Sequence, residues 1–356
     1  MPTGLDILRA WGLPVFDGSP FIIAGPCSAE SRQQILETAL ALQGLPVSLF
    51  RAGLWKPRTR PGGFEGVGET ALAWLQEARE KTGLRLAVEI ATPRQVELAL
   101  QAKIDVLWIG ARTSGNPFAV KELAQALAGI DQPVLVKNPL SPDLNLWLGS
   151  MERLQNAGVR KLGVILRGFG HSAPSKWRYE PEWNLGVGLR NHFPDLPYIC
   201  DPSHIAGKAE LIPLICQQAL DLDFHGLMIE THCNPAAALS DREQQLTPSQ
   251  LADMLSRLIF RHLSAPTDET RKLLASFRLE IDSLDEELLR VLARRQQLVT
   301  QIGELKREHG LTILQAERWR QVLAKAQASG QELGLSPALV ADIFNRIHEE
   351  SLSRQQ

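Results

Sequence analysis

The nine residues from Arg51 to Thr59, R-A-G-L-W-K-P-R-T, follow a short apolar run (Val47, Leu49, Phe50) and hold Arg51, Lys56, Arg58 and Thr59. A strand that ends this way can cradle an anion. The arginine fork matches carboxylate and phosphate, and the lysine adds a point charge. A single Arg or Lys after a strand is more often merely solvated, but here the event recurs. The carboxyl ends of eight successive apolar strands carry Cys27, Arg51, Glu89, Arg112, Lys137, Arg167, His204 and Glu230. Pooled with Lys56, these give three arginines, two lysines and a Cys/His/Glu group, chemistry suited to a small, strongly anionic substrate and a divalent metal. With Asp241 in L-S-D, Cys27, His204 and Glu230 form a thiolate, imidazole and carboxylate set that favours Mn, Fe, Co or Zn over Mg. Its natural use is as a Lewis acid polarising a carbonyl. Taken alone, Cys27 reads equally as a small buried apolar residue. His232 shares strand parity with Glu230 and is a candidate second layer behind it.

The elements that must position these residues repeat one unit from residue 20 to about 232. Each unit is a short apolar strand, a polar break and an amphipathic helix. The strands read as Phe21–Ala24, Val47–Phe50, Leu84–Ile90, Val106–Ile109, Val134–Val136, Leu162–Leu166, Pro197–Cys200 and Gly226–Ile229. Eight strands alternating with helices predict an α/β fold, a (β/α)8 TIM barrel whose strand ends meet on one face. An open doubly wound sheet is the competitor, but neither G-x-G-x-x-G nor a P-loop follows any strand.

The 356 residues suffice for two domains. A net charge of −2 offers no global field for nucleic acid or an anionic membrane. The four cysteines are widely spaced and the sequence contains no apolar run long enough to span a bilayer, which together with the N-terminal composition predicts a cytoplasmic protein.

The motifs G-P-C-S (25–28), K-P-R-T (56–59), I-G-A-R (109–112), V-K-N-P (136–139), I-L-R-G (165–168), D-P-S-H (201–204) and I-E-T-H (229–232) resemble those of the 3-deoxy-D-arabino-heptulosonate 7-phosphate (DAHP) synthases, in order, over about residues 18–262. The form is similar to the compact bacterial type. K-P-R-T separates it from the sister octulosonate 8-phosphate synthases, which resemble K-A-N-R there. The resemblance implies metal ligands Cys27, His204, Glu230 and Asp241, with Mn2+ ahead of Fe2+, Co2+ or Zn2+. It also implies a phosphoenolpyruvate cradle of Arg51, Lys56, Arg112, Lys137 and Arg167, to which the strand-end reading adds Glu89. Arg58 and Thr59 would hold the phosphate of erythrose 4-phosphate. Lys56 is the implied proton donor to the new hydroxyl, with metal-bound water as its rival.

Residues 263–270 are short, polar and broken by proline, and read as a linker between a barrel over 1–262 and a different domain over 271–356. There the apolar residues from Leu273 through Leu305 fall on a 3.6-residue stripe closed by Gly310, and two shorter helices follow, about Leu314–Ser329 and Pro337–Arg354. A first helix of about 60 Å is too long for a compact monomer of this size and predicts an intertwined homodimer. Arg278, Arg295 and Lys306 interrupt the stripe. Arg295 and Lys306 lie within about 20° of each other around the helix and Arg278 about 100° away, which fits a site shared between two chains.

F-R-x-x-I-D-x-L-D (277–285), Arg294-Arg295, Lys306 and S-x-x-x-Q (351–355) resemble the all-helical chorismate mutases. That implies a grip on the two carboxylates of chorismate by Arg295, Lys306, Arg318 and the partner copy's Arg278. Lys306 and Gln355 would meet the ether oxygen, with Ser351 nearby. The chain departs from the family at Gln315 and Trp319, where acidic residues are common; glutamine still accepts a hydrogen bond and tryptophan does not. The expectation is a bifunctional enzyme whose helical domain also mediates feedback inhibition. The alternative is a helical domain that senses chorismate or prephenate and throttles the barrel without catalysis. A higher homo-oligomer is compatible with either.

Overall fold

The computed structural model describes residues 3–56, 63–172, 174–260 and 267–355. The chain divides into two compact units, Met1–Leu263 and Ser264–Gln356. The first is a closed barrel of eight parallel strands: β1 (Phe21–Gly25), β2 (Leu49–Ala52), β3 (Leu86–Ile90), β4 (Val106–Ile109), β5 (Val134–Lys137), β6 (Leu162–Leu166), β7 (Tyr198–Cys200) and β8 (Gly226–Glu230). β8 closes on β1 in continuous register from Phe21↔Gly226 to Gly25↔Glu230. The returning helices begin where the sequence supplies capping oxygens. Ser31, Thr92, Asn116 and Asp143 each accept a backbone N–H from the first turn, and proline occupies the first turn after Thr92 and Asn116, satisfying or removing donors that a helix start leaves open.

The two faces of the strands bury different cores. Ile22, Phe50, Val88, Leu107, Val136 and Leu166 face the helices. Ile23, Leu49, Ala87, Leu135, Ile165, Ile199 and Met228 point into the barrel with Trp108. Side chains alternate with period 2 along a strand, so the next inward position above each layer is fixed: Arg51 above Leu49, Glu89 above Ala87, Lys137 above Leu135, Arg167 above Ile165, Glu230 above Met228. β2 therefore ends at Ala52 rather than Phe50, and Arg51 lies within the strand, not after it. The opposite end is closed by the Gly4–Ala10 helix, whose Leu8 joins the interior core.

The second unit has three helices, Asp268–Glu308, Ala316–Glu332 and Pro337–Gln355. The first starts inside the stretch expected as linker because the Thr267 side chain caps it and Asp268 and Glu269 complement its positive end. At 41 residues it is about 60 Å long, and Phe277, Ile281, Leu284, Leu288, Ile302 and Leu305 along it are exposed. Among the described residues no helix is long and apolar enough to cross a membrane.

Candidate active site

The floor of the barrel mouth is Trp108, fully buried. Its ring lies under the Arg51 guanidinium at 5.0 Å and the Lys137 ammonium at 6.0 Å, and its Nε1 donates to Glu89 Oε2 at 3.2 Å. Two glycines make room: a Cβ on Gly25, at φ +145°, would fall 2.1 Å from the Arg51 carbonyl, and one on Gly110 would fall 2.0 Å from Glu89 Oε1.

Arg51 donates to Glu230 Oε1 and to the Cys27 carbonyl, both at 3.1 Å. Lys56 folds back onto Cys27, donating to its carbonyl and to Sγ at 3.0 Å. Cys27 Sγ also lies 3.3 Å from Asp241 Oδ2. Ligand atoms of Cys27, Glu230 and Asp241 lie within 4.8 Å of one another, and His204 Nε2 stands 3.8 Å from Glu230 Oε1. Arg178 donates to Asp241 Oδ1 at 3.0 Å, and Gln244 donates to Glu230 Oε2 at 2.7 Å. Asp241 itself has left-handed backbone, φ 45°.

Burial acts on every member of this group, and at three of them charged neighbours outweigh it. Burial, and then Glu230, push the Cys27 thiol up to about 12. Burial also works against ionising Glu230 and Asp241. His204 and Arg51 outweigh it at Glu230, and Arg178 and His204 at Asp241, so both carboxyls sit below their ordinary values. Burial lowers His204, against the opposing pull of Asp201 and Glu230. At Lys56 burial opposes the charge, but Cys27 and Glu230 more than offset it and the ammonium is favoured.

A narrow cavity of about 80 Å3 above this group is lined by Lys56, Glu89, Arg112, Lys137, Arg167 and His204, among others. Arg112 is exposed, on the short Ala111–Ser114 helix. Arg167 stacks on Tyr179 at 3.6 Å. Arg178 and Asp241 also line an adjoining open cavity of about 740 Å3 rimmed by Lys176, Lys208 and Arg242. His232 is turned away from the Glu230 group: its Nε2 faces Glu30 at 3.6 Å. Residues beyond the strand end leave the sheet's alternation, so parity did not carry to position 232. Arg58 and Thr59 lie outside the described residues.

In the helical unit, Arg295 donates to Ser351 Oγ at 2.7 Å, and Lys306 to Gln355 Oε1 at 3.1 Å and the Ile313 carbonyl at 2.6 Å. Four of the expected residues thus meet within one chain. Arg278 is exposed on the same helix as Arg295, about 26 Å farther along at 1.5 Å per residue. Arg318 is exposed in the first turn of its helix. Trp319 stacks face to face on His348, ring centroids 3.9 Å apart.

A model of the DAHP synthetase I family matches residues 16–259. The chain belongs to this family. A chorismate mutase type II model matches residues 277–356. Among relatives of this DAHP synthetase family chain, the phospho-2-dehydro-3-deoxyheptonate aldolase of Thermotoga maritima is 34% identical over 229 residues, 63% of this chain and 64% of the relative. The chain thus spans less than two thirds of that relative's length. A 2-dehydro-3-deoxyphosphooctonate aldolase of Azoarcus is 26% identical over 269 residues, 68% of this chain and 90% of the relative. The crystal structure of a Thermotoga maritima DAHP synthase superposes with a TM-score of 0.60 at 30% identity, covering 73% of this chain and 71% of that one.

Sequence reasoning passed over several residues of this DAHP synthetase barrel. Asp201, Trp108, Arg178, Tyr179 and Gln244 all touch the candidate groups. Asp201 had a legible signal, since it stands two residues beyond inward-facing Ile199. Arg178 and Gln244 lie on long loops, and only the folded chain brings them back.

Proposed function

We propose that the barrel condenses phosphoenolpyruvate with erythrose 4-phosphate to give DAHP, and that the helical unit rearranges chorismate to prephenate. The observation that carries the barrel reading is the narrow cavity lined by Lys56, Arg112, Lys137 and Arg167 together with His204 and Asp241, the last of which sits with buried Cys27 and Glu230 in one cluster of ligand atoms. Cations on one side suit phosphate and carboxylate. The other side suits a divalent cation: two carboxylates held ionised, a buried thiol whose deprotonation a metal would favour, and a neutral imidazole. Cys27, His204, Glu230 and Asp241 would hold that ion. When bound it would supply Lewis-acid polarisation of the acceptor aldehyde.

The chain's own residues do the rest. Arg112, Lys137 and Arg167 hold the enol phosphate by its charges, with Arg51 fixed below them and Glu89 flanking the pocket. Arg58 and Thr59 hold the phosphate of the tetrose, as the family resemblance implies. C3 of the enol phosphate then adds to the aldehyde carbon, and Lys56 Nζ protonates the alkoxide so formed to give the new hydroxyl. Water adds at C2, its released proton balancing the one Lys56 gave, before the C2–O bond to phosphate breaks and phosphate leaves. Fixed cations meet the charge that builds on the phosphate.

For the helical unit the proposal assigns Arg295, Lys306 and Arg318 to the two carboxylates of chorismate, with Arg278 entering from the partner copy of an intertwined dimer. Its distance from Arg295 along the helix and the exposed apolar stripe favour that assembly. Lys306 and Gln355 would stabilise the breaking C–O bond, the whole task in a pericyclic step. A sensing module without turnover is the second reading, favoured by Trp319 stacking on His348 where an acceptor for the substrate hydroxyl is common. Steady-state loss of chorismate with the full chain beside Arg295→Ala separates the two. Turnover that the substitution abolishes supports the mutase; no turnover, with chorismate still slowing DAHP formation, replaces it with the sensor.

A further inference from the structure

Asp201 has no role in the reading above, yet its carboxylate touches both halves of the site. It is fully buried. Oδ2 accepts from Lys137 Nζ at 2.6 Å, and Oδ1 accepts the backbone N–H of His204 at 3.2 Å and faces His204 Nδ1 at 3.0 Å. A carboxylate that already takes an ammonium hydrogen and a backbone hydrogen is an acceptor throughout, so the hydrogen toward Nδ1 rides on the imidazole. Nε2 then carries a lone pair. Nε2 stands 3.8 Å from Glu230 Oε1, beyond hydrogen-bonding distance.

We propose that Asp201 is the positioning residue of this site. Its one buried carboxylate fixes the Nδ1–H tautomer of His204, leaving Nε2 to a divalent cation, and anchors Lys137 beneath the anion cradle. The cation and anion roles rest on the function proposed above; the tautomer does not. The plainer role, capping the short Pro202–Ala206 helix, needs only the backbone bond. It leaves the position of the imidazole hydrogen open.

Two measurements decide it. In metal-free full-length protein labelled with 15N-histidine, long-range 1H–15N correlation reads the tautomer of His204, its signal identified by loss in His204→Gln. Pyrrole-like Nδ1 with pyridine-like Nε2 is expected; an Nε2–H tautomer overturns the proposal. Asp201→Asn can turn its amide donor toward Nδ1 and let the hydrogen move to Nε2. In that variant, Co2+ affinity measured against a competing chelator should fall about 10- to 100-fold, the usual loss when a ligand's supporting partner goes, with a raised KM for phosphoenolpyruvate. A folded variant that binds Co2+ as tightly as the unaltered protein overturns the proposal. If the unaltered protein takes up no Co2+, it is the metal part of the proposed function that fails, and the tautomer, read on that same protein, still judges Asp201.

Discussion

The Arg51–Glu230 pair offers the sharpest test of the site's energetics. Both side chains are buried, 2% and 0% exposed, with Nη1 3.1 Å from Oε1. In Arg51→Met the Glu230 carboxylate keeps its bond from Gln244 but loses its contacting cation. Breaking a buried pair on one side costs about 3–5 kcal/mol, because a charge stays behind in low dielectric. At about 2–4 °C per kcal/mol for a domain of this size, the barrel transition of the metal-free chain should drop by about 6–20 °C. Glu230→Gln should also destabilise, leaving Arg51 unmatched. The double variant Arg51→Met/Glu230→Gln removes both charges and should recover most of the loss, giving a coupling above about 2 kcal/mol in a double-mutant cycle. Thermal melts and urea titrations of the four proteins measure it. Additive effects, with coupling within about 0.5 kcal/mol, would refute the claim that the pair is one desolvated unit.

Other outcomes follow from the same geometry. Chelation should abolish DAHP formation and leave chorismate turnover intact, since a pericyclic step uses no metal; parallel assays on one preparation check it. A Cβ at Gly303 would stand 3.0 Å from the Gln355 backbone, so Gly303→Ala should push Gln355 off Lys306 and cut chorismate turnover several-fold. Its stability should fall by about 0–2 kcal/mol, because about 1 kcal/mol of helix propensity offsets only part of about 1–3 kcal/mol of overpacking. Burial holds the His225 imidazole down to about 4 from an ordinary 6.5. Its neutral form is favoured by folding, so that stability is intact above pH 6.5 and is lost as pH falls toward 4, by up to about 3 kcal/mol at 1.36 kcal/mol per unit. His225→Gln should flatten that part of the slope in melts at pH 7.5 and 4.5.

The sequence by itself determined the barrel, because eight apolar runs at near-regular spacing can bury both faces in hardly any other way. It determined the inward residues too, wherever the chain stays in a strand. Parity places Arg51, Glu89, Lys137 and Glu230 one pleat above an apolar layer, and reaches one residue past β6 to Arg167; period 2 is enforced by the backbone. Helical period put Arg295 and Lys306 on one face, and the resemblance to the chorismate mutases added Ser351 and Gln355. Parity failed past the strand ends, as His232 shows by turning to Glu30. Only the tertiary structure decided what the loops return to the site: Arg178 on Asp241, Gln244 on Glu230, Tyr179 under Arg167. Loop dihedrals carry no period, so such contacts are set by the fold around them. Tertiary structure also chose the charge states, for the same Cys, Glu and Asp would titrate normally in water. What shifts them is burial at Cys27 and the cations packed against Glu230 and Asp241, a property of the packed mouth and not of any residue in it.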